Sequence, residues 1–206
     1  MRKTLISLAA GLSMLALPAF AAGVVDVSQA RKDISADAAG KSFSIATVVK
    51  VDGIAWFDRM REGVVKFGKD TGHETFLLGP AKADAAEQVK IVEGLIAQKV
   101  DAVILQPIEA DAMSPSVKKL QAAGVPIVNV NSITTAQPDA YVGSRDEEAG
   151  SIAISYLAKK LGDKGDIVMM HGHPGQSAEV QRTDGAKEEL KKHPNLKLIA
   201  EQTAEW

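Results

Sequence analysis

From Ser42 onward the chain alternates two kinds of hydrophobic pattern. Short, nearly continuous apolar runs at Phe43–Val49, Thr75–Leu78, Ala102–Leu105 and Pro126–Val130 predict strands. Between them apolar residues recur at helical spacing. Phe57, Met60, Val64 and Phe67 mark one face, Ala85, Val89, Val92 and Ile96 a second, and Met113, Val117 and Leu120 a third. The strand starts lie roughly 25 to 30 residues apart, the interval that a parallel crossover through a helix needs. Punctuation agrees. Asp84 suits an N-cap before Ala85, Asp111 suits one for the third helix, and Gly124 with Pro126 stops that helix before the next strand. Because the strand runs are continuous rather than alternating, they are expected to be buried on both faces of a parallel sheet.

The same rhythm restarts further on. A short strand at Ala140–Gly143 follows the polar loop Thr134–Asp139, then comes a helix with Ala149, Ile152, Ala153, Tyr156 and Leu157 turned inward. A strand at Asp166–Met170, a weaker helix from Ser177 to Lys192 and a strand at Leu196–Ala200 complete the run. The expected fold class is α/β, with two doubly wound, Rossmann-like parallel-sheet lobes. The boundary falls near Ser144 and Arg145, giving an N-terminal lobe over 42–144 and a partial C-terminal lobe over 145–206. Two helices and two strands are too few to cover both faces of a sheet, so the second lobe is expected to be incomplete and the chain truncated.

Before Ser42 the pattern is different. Met1-Arg2-Lys3, an apolar run from Leu5 to Leu17 and Pro18-Ala19-Phe20-Ala21 form a signal-peptide pattern over 1–21. That run is shorter than the ~20 residues a membrane-spanning helix needs. Residues 22–41 show no sustained period and are expected to be an extended lead-in. Export to the periplasm follows, with nothing embedded in a membrane after cleavage. Composition narrows the field further. With 24 basic against 26 acidic side chains and a pI near 6.1, the chain has no electrostatic footprint for nucleic acid. The absence of cysteine excludes disulfides, thiolate metal sites and a cysteine nucleophile.

The candidate chemistry sits at strand ends. Gly172-His173-Pro174-Gly175 joins a strand to a helix, where ligands bind in α/β sheets, but the phosphate-binding glycine fingerprints are missing. His171 and His173 are read as loop histidines rather than metal ligands. The acidic pairs Glu147-Glu148 and Glu188-Glu189 read as solvated helix faces, and no Gly-x-Ser-x-Gly elbow seats a nucleophile. Trp56 and Phe57 follow the first strand across a short loop. Trp56 either stacks on the C–H face of a sugar ring or staples the first helix to the sheet. Lys50 ends that strand, Asn131 ends the fourth, and Arg182 lies early in the helix after the glycine loop. With Trp206 these groups come from different segments, which suits a polar ligand clamped between two lobes.

Three stretches carry a family resemblance: Gly94–Ile104, Ala122–Val128 and Tyr156–Gly162. Over Phe43 to Trp206 the sequence resembles the periplasmic sugar-binding proteins of the ribose/galactose type, the type I proteins that serve ABC importers. The resemblance implies a monosaccharide or sugar-like ligand, an inner-membrane ABC permease as partner, no cofactor and no reaction. It matches Trp56 and Phe57 to the paired aromatics that sandwich the sugar, Asn131 to the sugar-binding acid, Arg182 to a helix arginine and Trp206 to the second-lobe aromatic. The sequence departs from the pattern at Ile54-Ala55, where Asn-Pro is usual, at Asn131 itself, and at Ser132, where a basic residue is frequent. Lys50, Gly53, the Trp56-Phe57 pair and Gly79-Pro80 more closely resemble the branch that binds autoinducer-2 or rhamnose. A sugar or autoinducer-2 receptor for signalling or chemotaxis is the alternative, with a sugar-modifying enzyme behind it.

Overall fold

The computed structural model describes residues 40–204, so the signal-peptide expectation at 1–21, nearly all of the expected lead-in and Trp206 lie outside the described residues. In chain order the elements are β1 (Ser44–Val48), α1 (Ala55–Thr71), β2 (Glu74–Leu78), α2 (Ala85–Gln98), β3 (Ala102–Leu105), α3 (Ala110–Ala122), β4 (Ile127–Val130), β5 (Ala140–Val142), α4 (Asp146–Leu161), β6 (Gly165–His171), α5 (Ser177–Leu190) and β7 (Leu196–Thr203). The first five strands form one parallel sheet in the order β2-β1-β3-β4-β5, and β6 pairs in parallel with β7 in a second. From β1 the chain steps outward to β2, then returns to lay β3 on the other side of β1. That reversal is a topological switch point, and it opens a crevice beyond the carboxyl ends of β1 and β3.

One face of the first sheet carries the main core. Ala46, Val48, Val103, Leu105 and Ile127 pack against Val92 and Leu95 of α2 and Met113, Val117 and Leu120 of α3. These side chains are almost fully removed from water, each large one contributing about 1.5–3 kcal/mol. The opposite face differs from the sequence expectation. Among the described residues α1 is the helix that lies against it, leaving Ile104, Val128, Val130 and Val142 along an open groove of about 400 Å³ beside Val64 and Phe67. Continuous apolar strands therefore mark two faces that avoid water, while the described helices fill only one of them.

Helix ends follow local chemistry. Asp84 accepts from the Glu87 amide at 3.0 Å and caps α2, as its position predicts. Asp111 does not cap α3. Glu109 holds that place, and Asp111 sits within the first turn, accepting from the Thr135 hydroxyl. The inward face of α4 also differs. Ile152 and Tyr156 are 60% and 59% exposed, and the contact runs instead through Gly150, Ile154 and Ala158. The cause is the closeness of α5. A Cβ placed at Gly150 would meet the Arg182 carbonyl oxygen at 2.0 Å, and one at Gly185 would meet the Glu147 carbonyl oxygen at 1.9 Å. Two helices that touch backbone to backbone turn small residues inward, so the largest apolar stripe is not the buried one.

Candidate functional site

The candidate site forms at the switch point and is framed by one buried amide. Gln88 of α2 is fully buried, and its Nε2 donates to the carbonyl oxygens of Val49 (3.1 Å) and Gln106 (2.9 Å). Its Oε1 accepts from the Ile108 amide at 2.9 Å. These bonds satisfy backbone groups where β1 and β3 end, so the segments leaving both strands are held in place. Lys50, on the segment after β1, is only 8% exposed. Its Nζ donates to Oε1 of Gln176, the residue before α5 and 126 positions away in sequence.

The loop before α5 is tied to the first sheet at further points. The Ile133 amide, beyond β4, donates to Ser177 Oγ at 2.9 Å, and the Ala110 amide at the start of α3 donates to the Gly175 carbonyl at 3.4 Å. The segments after β1, β3 and β4 thus converge on residues 175–177.

An ion pair with its carboxylate buried and its guanidinium partly exposed completes the cluster. The Asp146 side chain is 1% exposed, and Oδ1 accepts from Arg182 Nε and Nη2, both at 2.7 Å, and from Ser144 Oγ at 2.9 Å. The close crossing of α4 and α5 sets this pair, because Asp146 opens α4 and Arg182 lies one turn from Gly185. Burial lowers the Lys50 ammonium from 10.5 to about 8, with Arg182 pushing the same way and Asp146 opposing. Burial also raises the Tyr141 phenol, the Asp146 carboxylate adds to this, and Arg182 opposes it. Lys50, Arg182, Asp146 and Tyr141 therefore share one electrostatic neighbourhood.

The other expected site residues divide. Asn131 sits at the end of β4 with φ 59°, a left-handed conformation that Asn tolerates, and its amide N–H donates to the Val142 carbonyl at 2.8 Å. Next to it the Ser132 hydroxyl is buried without a partner among the described residues, as is Gln106 Oε1 at the end of β3. Trp56 is 71% exposed on the first turn of α1, so it does not staple that helix to the sheet. Phe57 departs from the aromatic-pair expectation. Successive helix residues point about 100° apart, and while Trp56 faces solvent, Phe57 turns into a small core with Val49 and Leu77. Trp206 lies outside the described residues.

The histidines take up protein partners. His171 Nδ1 faces Glu179 Oε1 (3.1 Å) and Thr183 Oγ1 (3.0 Å), its Nε2 faces Glu201 Oε2 (2.8 Å), and His173 Nδ1 donates to the Pro174 carbonyl at 2.9 Å. His171 thereby links β6, α5 and β7 just below the loop that carries Gln176. Sequence reasoning missed Asp146, Gln176, Gln106 and Gln88. For Gln106 a signal existed, since it ends a strand beside the switch point as Lys50 does. Asp146 stands beside Glu147-Glu148, whose solvated character it does not share.

Known proteins supply the context. Residues 45–206 match the family model described as periplasmic binding protein domain. The chain is 31% identical over 187 residues to the xylitol-binding protein of Mycolicibacterium smegmatis, covering 90% of this chain and 53% of that one. It is 29% identical over 167 residues to the ribose import binding protein of Bacillus subtilis, covering 81% of this chain and 54% of the other. Among solved structures, a carbohydrate transporter solute-binding protein from Agrobacterium radiobacter in complex with D-arabinose superposes with a TM-score of 0.75 at 27% identity, over 80% of this chain and 58% of its own. The fructose-binding periplasmic domain of a hybrid two-component system gives a TM-score of 0.75 at 26% identity, over 80% and 55%. The chain spans about half the length of the curated relatives it matches.

Proposed function

The chain belongs to the periplasmic binding protein family, and from that premise we propose that it is the solute-binding component of an ABC sugar importer, holding a monosaccharide or sugar-like ligand between two lobes. The lobes are the portions over 42–144 and 145–206. The observation that carries this reading is the meeting of β1, β3 and β4 segments with residues 175–177, around Lys50, Gln176 and the Arg182–Asp146 pair. Directional donors and acceptors from both portions meet there, which suits a ligand that touches both sides at once. Relatives named for xylitol and ribose, and a neighbour holding D-arabinose, support a polyol or sugar as the class.

The mechanism follows from the contacts. In the open form the polar groups of each lobe face water. A ligand whose hydroxyls bond Asn131 and Gln106 on one side and the Gln176 loop on the other favours the closed arrangement, so its binding energy shifts the population. Trp56 supplies an apolar face near the entrance. The protein binds and releases its ligand unchanged, and the closed form, exported to the periplasm by the leader at 1–21, docks on an inner-membrane permease. The Lys50 and Trp56 pattern supports an autoinducer-2 or rhamnose-like ligand within this class. A receptor role in signalling is the second reading, favoured by the likeness to the fructose-binding domain of a two-component system.

The test is a thermal-shift panel of pentoses, hexoses, 6-deoxyhexoses, polyols and autoinducer-2 on the full gene product. At least one member should raise the melting temperature in proportion to the logarithm of its concentration, and Asn131→Ala should weaken that response about tenfold. A panel without effect, or an Asn131→Ala response equal to wild type, contradicts the reading.

A further inference from the structure

We propose that the ligand carries one negative charge, and that it is a sugar acid whose carboxylate pairs with the Lys50 ammonium where β1 ends against the Gln176 loop. The inference rests on the sugar-binding reading above and names the ligand class for that same site. It begins from an inventory of charge. Asp146 is answered by Arg182, whose Nε and Nη2 are both 2.7 Å from Asp146 Oδ1, with the carboxylate 1% exposed. Lys50 is left over. It is 8% exposed, and among the described residues its hydrogen-bond partner is Gln176 Oε1, a neutral amide oxygen. A buried ammonium is tolerated when an anion stands beside it, and an amide supplies only part of that compensation.

The surroundings add positive potential rather than removing it. Gln176 is the residue before α5, so the Lys50 head lies at the N-terminal end of a 14-residue helix, where the helix dipole disfavours a cation. Asn131, Gln106 and Ser132, the polar groups at the neighbouring strand ends, are all neutral. Asp52 pairs with Arg61, and Glu109, whose side chain lies near Gly175, is partly exposed. The influences on Lys50 are its own burial and Arg182, which lower its pKa to about 8, and the already paired Asp146, which opposes them. Among the described residues the cluster thus holds one cation in excess. A carboxylate matches that excess with one charge, whereas a phosphate ester brings about −1.5 to −2 near neutral pH and overshoots it. The oxygens of Gln106 and Ser132, unpartnered among the described residues, remain for the sugar hydroxyls.

Calorimetric titration of the full gene product tests this with matched ligands: D-galactose against D-galacturonate, D-glucose against D-glucuronate, and D-ribose against D-ribonate and D-ribose 5-phosphate. In at least one set the carboxylate should bind tenfold or more tightly than both its neutral parent and any phosphate. That advantage should disappear in Lys50→Gln and persist in Lys50→Arg. In the unmodified protein it should fall as pH rises from 7 to 9.5, because the free ammonium is lost, while neutral-sugar affinity stays level. The pH profile needs no variant and so does not depend on Lys50→Gln folding. Neutral sugars that bind as tightly as their acids, a preference for phosphate alone, or an advantage that survives Lys50→Gln each overturn the proposal and leave the sugar-binding reading standing. Failure of every sugar and every acid to bind overturns both.

Discussion

Charging a lysine that is 8% exposed, beside Arg182 and a helix N-terminus, costs more than charging one in water, and a pH dependence of stability follows. In the folded protein Lys50 titrates near 8 and in the unfolded chain near 10.5. Below pH 8 both states hold the proton and the full penalty is present. Between the two values the unfolded chain binds a proton that the folded protein does not, so stability rises with pH. Chemical unfolding of wild type and Lys50→Met from pH 7.5 to 10 should show the difference moving in favour of wild type, by at most ~3 kcal/mol. A constant difference contradicts the burial of the charge. Arg182→Met strands Asp146 in its buried position and should cost about 2 kcal/mol, the figure reduced because Arg182 is 41% exposed. Adding Asp146→Leu should recover part of that loss in a double-mutant cycle. At this scale the sequence was informative where chemistry is local. Lys50 and Asn131 declare themselves by ending strands. Asp146 and Gln176 do not, because their roles come from partners 36 and 126 residues away.

The elements were legible to the extent that hydrophobic period decides them. On α3 the inward residues lie where spacing puts them, with Met113, Val117 and Leu120 fully buried, whereas Phe67 of α1 is exposed and α2 buries Gln88, Val92 and Leu95. On α4 period alone favours large apolar residues, whereas the partner helix lies so near that glycine sets the contact. Gly185→Ala should therefore force α4 and α5 apart, lowering stability by about 2 kcal/mol or more and weakening the Arg182–Asp146 pair. Gly94→Ala is the internal control. Its Cβ would meet only Gln98 Nε2, at 3.8 Å, and the gain in helix propensity should stabilise by up to about 1 kcal/mol. Urea melts that rank the two substitutions in the opposite order would remove the close-packing explanation. Gln88→Leu should be costly in a different way. It unpairs the Val49 and Gln106 carbonyls and the Ile108 amide, for a loss on the order of 3 kcal/mol. It should also loosen the segments that carry Lys50 and Gln106, seen as faster amide exchange at residues 106–109.

For the whole molecule, the strand order β2-β1-β3-β4-β5 creates the switch point, and the second sheet delivers the loop that meets it. Continuous strands spaced by helices were enough to read parallel α/β layers from sequence. The order of strands, and hence which strand ends adjoin, rests on long-range pairing that local pattern does not encode. The central claim is that a small polar ligand is bound where these two portions of the chain meet. Amide hydrogen exchange, with and without a sugar or sugar acid that raises the melting temperature, reads that location directly. Protection should concentrate at residues 49–53, 106–109, 131–134 and 172–177, with the strands beneath them little changed. Protection confined to the apolar groove beside Phe67 and Val142, with those four segments unaltered, would contradict the account.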